Sequence, residues 1–183
     1  MSSSSAISSS SVASSQAGNS YTFTSVDGWS VNGGGSPNQL QLELNAATGS
    51  GINMVPIDWA DNAATNYKYE ARYTLPSPVN IAVGSKISYT VTIPQSYITD
   101  ATAVLQINWG IAGGTYKYGG SGGGYRTLSA AGGVSADADF VITETVTSGN
   151  ELAGTTTLGL QLSVAPTNTA IKDKILIKRI TIE

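Results

Sequence analysis

Gln106 and Asn108 stand two residues apart in VLQINWG, and Gln161 sits in a similar setting in LGLQLSV. Carboxamides two apart on a strand share one face, and each donates and accepts at once, which suits a ligand whose hydroxyls do both. VLQINWG runs directly into a segment carrying Gly113, Gly114, Gly119, Gly120 and Gly122 to Gly124, with Tyr116, Tyr118 and Tyr125 among them. Tyrosine rings offer flat apolar surfaces with a polar tip. The combination fits a neutral, polyhydroxylated ligand, with amides on a rigid strand and rings on a pliable glycine loop that lets them swing toward it.

Other chemistries find no support. The chain has no histidine and no cysteine, which removes Ser-His-Asp and Cys-His nucleophiles, His-containing zinc sites and the commonest general acid/base. GGSGGG is followed by Tyr125 and Arg126, whereas a phosphate loop needs Lys and then Ser or Thr, and no GxGxxG precedes a helix. Paired carboxylates could make a glycoside hydrolase. The candidates Asp58, Asp61, Glu70, Asp100, Asp137, Asp139, Glu144 and Glu151 read mostly as turn residues, where Asp is favoured for local hydrogen bonding. No DxDxDG-like run concentrates oxygen ligands. No cofactor is expected, and a structural calcium ion is left open without assigned ligands.

Strands must position these side chains. Period-two alternation marks 21–24, 40–44, 67–75, 86–93, 104–111, 140–146, 158–164 and 174–182, and no convincing amphipathic helix appears. Strands joined by Gly, Pro, Asn and Ser turns predict an all-β fold, a two-sheet antiparallel β-sandwich of jelly-roll type. With Leu105, Ile107 and Trp109 inward, Gln106, Asn108 and Gly110 face out; with Leu158, Leu160 and Leu162 inward, Thr157, Gly159 and Gln161 face out. Gly110 and Gly159 then leave room, as a groove floor requires. Tyr67, Tyr69, Ala71 and Tyr73 share a face that reads as core, and Trp29 and Trp59 read as half-buried caps on the sandwich.

The first fifteen residues hold ten serines, so residues 1–20 are expected to be a linker to a domain tethered upstream, and residues 21–183 one globular module. Nine basic residues against twelve acidic give a net charge of −3. There is no basic stripe for nucleic acid and no apolar run long enough for a membrane helix. Lys172, Lys174, Lys178 and Arg179 read as a solvated edge strand.

From about Asp27 to the C-terminus the chain resembles the family 15 carbohydrate-binding modules, the xylan-binding jelly rolls of bacterial xylanases. The pieces that carry the resemblance are GWSVN at 28–32, AVLQINWGI at 103–111 leading into the aromatic loop, and LGLQLSV followed by ILIKRITI. It implies that an asparagine after the GW turn, two strand glutamines and two loop tryptophans meet the xylan chain. The asparagine falls on Asn32. The tryptophan positions fall near Tyr116 and near Tyr118 or Tyr125. The glutamine positions fall on Gly110 and Thr157, with Gln106 and Gln161 two register steps away, and the family's cysteine pair is missing. The resulting expectation is a monomeric, secreted, extracellular, non-catalytic module that binds xylan or a related β-1,4-linked polysaccharide and targets an attached catalytic domain. A small jelly-roll glycoside hydrolase and a structural or adhesion module are the alternatives.

Overall fold

A computed structural model describes residues 18–33, 40–57, 67–99, 103–164 and 173–183. Among them, twelve strands form two six-stranded antiparallel sheets. The first sheet holds β1 (Asn19–Thr22), β3 (Leu40–Leu44), β4 (Ile52–Pro56), β6 (Lys86–Thr92), β10 (Asp139–Thr145) and β12 (Ile175–Ile182). Its order is β10-β6-β12-β4-β3, with β1 also on β12. The second sheet holds β2 (Trp29–Gly33), β5 (Tyr67–Ile81), β7 (Val104–Gly110), β8 (Tyr116–Tyr118), β9 (Tyr125–Thr127) and β11 (Leu152–Val164). Its order is β2-β5-β11-β7-β8, with β9 also on β7.

Alternation builds the core between the sheets. Leu105, Ile107 and Trp109 of β7 and Leu158, Leu160 and Leu162 of β11 are all fully buried, facing Ile87, Tyr89 and Val91 of β6 and Ile175, Ile177 and Ile180 of β12. Each such side chain contributes about 1.5–3 kcal/mol relative to exposure. In β12 the core positions jump from Ile177 to Ile180, and the register against β6 shifts between Ile177 and Arg179. One extra residue restores the alternation, as a β-bulge does.

Several boundaries differ from the sequence pattern for physical reasons. Asn19 and Ser20 already pair with Ile182 and Thr181, so the first strand starts before Tyr21. The strand expected to end at Leu75 runs on to Ile81 through Pro76 and Pro78. These prolines fall where the pairing with β11 is irregular, between the Thr74↔Thr157 and Val79↔Thr155 pairs, so their missing N–H groups break no regular ladder. β2, β4, β8 and β9 lack a full apolar–polar alternation, and alternation does not mark them. A five-residue helix, α1 (Gln95–Thr99), follows β6 and sends Tyr97 and Ile98 into the core. The C-terminal strand is not an edge. β12 lies between β6 and β4, Lys178 sits at the bulge paired with Asp139, and Lys174 pairs with Glu43. Lys172 lies outside the described residues.

Candidate functional site

The antiparallel registers align outward-facing residues of the second sheet in rows. One row reads Ser30, Arg72, Gly159, Asn108, Tyr118 across β2, β5, β11, β7 and β8. The next reads Asn32, Glu70, Gln161, Gln106, Tyr125, ending on β9. At about 4.8 Å per strand the rows span roughly 19 Å. Asn32, Gln106, Asn108, Gln161, Tyr118 and Tyr125 therefore share one face; spacing predicts this outward direction for Gln106, Asn108 and Gln161. Tyr116 joins from the neighbouring row, opposite Gly110.

A carboxyl group occupies the centre of this face. Glu70 is only 4% exposed. Its Oε2 accepts from Asn32 Nδ2 at 3.1 Å and Arg72 Nη2 at 2.9 Å, and its Oε1 accepts from Asn108 Nδ2 at 3.3 Å. Gly159 makes this possible, because a Cβ there would lie 2.1 Å from Glu70 Oε1. Burial alone would lower the Arg72 pKa, but the hydrogen bond and charge of Glu70 outweigh it and hold the guanidinium above its ordinary value. Asn108 has no exposed surface, so its amide orients Glu70 instead of reaching a ligand.

The space above Gly110 is also taken. A Cβ there would lie 2.6 Å from the Tyr116 ring, which rests on the glycine and bonds Thr157 Oγ1 through its hydroxyl at 3.0 Å. The Arg72 guanidinium lies 4.2 Å from the ring centroid, a cation–π distance. Tyr116 is thus pinned into the sheet face. Tyr118 and Tyr125 are 53% and 52% exposed and stand opposite Asn108 and Gln106, about 7 Å apart along β7. A chain of amides links the face to the loop: Gln161 Nε2 donates to Gln106 Oε1 at 3.3 Å, and Gln106 Nε2 donates to Gly119 O at 2.7 Å. Among the described residues nothing donates to Gln161 Oε1.

From Gly119 to Gly124 the glycine segment is fastened, not free. Gly119 N donates to Ile107 O, Ile107 N to Gly124 O, and Thr145 N to Gly122 O. The buried Glu144 carboxyl accepts from Gly120 N and Gly124 N. Cβ atoms at 119, 122 and 124 would lie 2.9, 2.0 and 2.7 Å from their nearest neighbours. The glycines allow close packing of backbone on backbone, and only Gly123 among the six turn residues needs a positive φ, of 102°.

Glu70 and Glu144 lie in strands, not turns, and both are enclosed by internal donors. Asp58, Asp61, Asp100 and Trp59 lie outside the described residues. Trp29 is the half-buried cap expected of it, packed on Phe23 and Tyr73 with centroids 4.8 and 5.3 Å away. Tyr69 and Ala71 are core. Among the described residues no three acidic, histidine or cysteine side chains are grouped to hold a metal ion, and no helix is long and apolar enough to cross a membrane. Sequence reading missed Arg72 and the central role of Glu70. The signal was available, since a strand with Tyr69, Ala71 and Tyr73 inward must present Glu70 and Arg72 outward.

No protein-family model and no curated protein sequence matches the chain. Solved structures do. The xylan-binding module CBM15 is similar over 91% of this chain and 96% of its own, with a TM-score of 0.55 and 18% identity. The chain has the fold of a carbohydrate-binding module. A second structure with this fold, CBM27-1 of Caldicellulosiruptor saccharolyticus in complex with mannohexaose, gives a TM-score of 0.57 at 9% identity, over 90% of this chain and 97% of its own. TmCBM27, a carbohydrate-binding module with specific mannan recognition, gives 0.50 at 12% identity, over 90% and 94%. The carbohydrate-binding-module fold is therefore kept at identities too low to carry side-chain roles across.

Proposed function

We propose that this chain is a non-catalytic module that binds an uncharged β-1,4-linked plant cell-wall polysaccharide, xylan or a related glycan, on the outer face of its second sheet. The observation that carries the reading is the pairing of exposed Tyr118 and Tyr125 with the amide row Asn32, Gln161 and Gln106. The two rings supply apolar surface for sugar C–H faces, and the amides supply donors and acceptors for hydroxyls. Half-buried Tyr116 is a fixed part of the floor, and buried Asn108 is a holder of Glu70. The enclosure of Glu70 and Glu144 by internal donors speaks against glycoside hydrolysis, which needs two accessible carboxyl groups across the scissile bond.

In this reading the module works as a monomer outside the cell, without a cofactor, and the serine-rich stretch ahead of β1 tethers it to a catalytic domain. Tethering raises the local concentration of that domain at an insoluble substrate without any chemistry by the module. Affinity is modest, because little charge is engaged and a flexible chain is immobilised. Calorimetric titration against soluble xylan, glucomannan, β-glucan and cello-oligosaccharides tests it. Saturable binding to at least one glycan, with no release of reducing sugar, is the expected result. Absence of heat with all four, together with no retardation in polysaccharide-containing native gels, would overturn it.

A further inference from the structure

The turn that separates the two exposed rings is held from the opposite sheet. Glu144 belongs to β10, in the first sheet, and is completely buried. Its Oε2 accepts the backbone N–H of Gly120 at 3.1 Å and of Gly124 at 2.6 Å. Beside it, Thr145 N–H donates to Gly122 O at 2.9 Å. Glu144 Oε1 has no partner among the described residues. A buried carboxyl with an unpaired oxygen is costly, and an apolar side chain would fill the same edge of the core without that cost. The carboxyl is explained by what it fastens: Gly119 to Gly124, the six residues between Tyr118 and Tyr125.

We propose that Glu144 is the positioning residue of the glycan site, fastening the turn so that Tyr118 and Tyr125 stand at a fixed spacing along β7 before any ligand arrives. Rings already ordered lose less freedom on binding, so the clasp acts on affinity through preorganisation. The inference rests on the polysaccharide-binding reading above.

The test compares wild type, Glu144→Ala, Glu144→Gln and a control, Ile142→Ala, using soluble xylan, xylohexaose and mannohexaose as probes. Ile142 lies two residues along β10 and is core, so its truncation destabilises the sandwich without touching the turn. Glu144→Ala is expected to weaken binding about tenfold, with a larger entropic penalty and faster hydrogen exchange at the Gly120 and Gly124 amides. Glu144→Gln is expected to stay within about twofold, since its amide oxygen can still accept both N–H groups. Ile142→Ala should lower the melting temperature at least as far and leave affinity unchanged. The proposal is overturned if Glu144→Ala binds like wild type, if Glu144→Gln is as weak as Glu144→Ala, or if Ile142→Ala weakens binding equally. Wild type that binds none of the probes removes the polysaccharide reading and this inference with it; wild type that binds while Glu144→Ala binds equally removes only this one.

Discussion

Two regions of the molecule bury a carboxyl against glycine, to different ends. On the second sheet Glu70 lies over Gly159 and gathers Asn32, Asn108 and Arg72 on the outer face. At the sandwich edge Glu144 packs against Gly122 and Gly124 and gathers backbone N–H groups of a turn. The first arrangement orders side chains on a strand that the ladder already fixes. The second orders the chain itself. In both, glycine supplies space for a neighbour more than freedom for the backbone.

Gly122→Ala gives the largest effect that separates the two regions. Its Cβ would meet the Thr145 carbonyl oxygen at 2.0 Å, and backbone yields poorly, so a loss of about 3 kcal/mol is expected in denaturant titration. An unchanged midpoint would show that the turn is not fastened. Gly159→Ala meets only the end of the Glu70 side chain, at 2.1 Å. It should cost about 1–2 kcal/mol in stability yet weaken glycan binding about tenfold, because a displaced Glu70 releases Asn32, Asn108 and Arg72. If affinity holds while Glu70 is displaced, that order is irrelevant to binding. Tyr125→Ala leaves a half-exposed site, so stability should change by less than about 0.5 kcal/mol while calorimetry shows weaker retention of the glycan.

The smallest effect concerns a carboxyl in neither region. The hydrogen bond from Lys174 holds the Glu43 carboxyl below its ordinary range. A depressed folded-state pKa stabilises the fold fully above the ordinary carboxylate value and ceases to as pH falls through the depressed one. Both partners are exposed, so the contribution is small. Lys174→Ala should lower the melting temperature slightly at neutral pH, and the gap from wild type should close in acid. A gap that persists or widens in acid would assign the effect to something other than this pair.

The long strands were legible because one face of each is core: Leu40–Leu44 alternates from end to end, and so do Leu158 to Val164. β2 and β4 escaped because WSVNG ends in a glycine and INMVP carries Val55 on its outer side and ends in proline, so neither alternates as cleanly as LQLEL of the same length. The sequence also turned Gln106 and Gln161 outward on their strands, which needs only strand parity, whereas Asn32 came from the family resemblance alone. It could not reveal that Asn108, on that same face, is buried and bonded to Glu70, since burial on an outer face depends on side chains from other strands, here β5, two strands away across Gly159. The glycine turn misled for a related reason. Flexibility is the property of an isolated glycine run, whereas this run is enclosed by Ile107, Thr145 and Glu144, which arrive from distant parts of the chain.

The clasped turn carries a practical consequence for anyone redesigning this surface. Gly119, Gly122, Gly123 and Gly124 tolerate almost no added atoms, whereas Gly120 and Ser121 in the same turn, and Tyr118 and Tyr125 on either side, face solvent. New ligand preferences should therefore be sought by varying the ring positions and the outward amides. Libraries randomised through the turn would mostly yield misassembled protein, while libraries that keep it intact would inherit a rigid spacer of constant length.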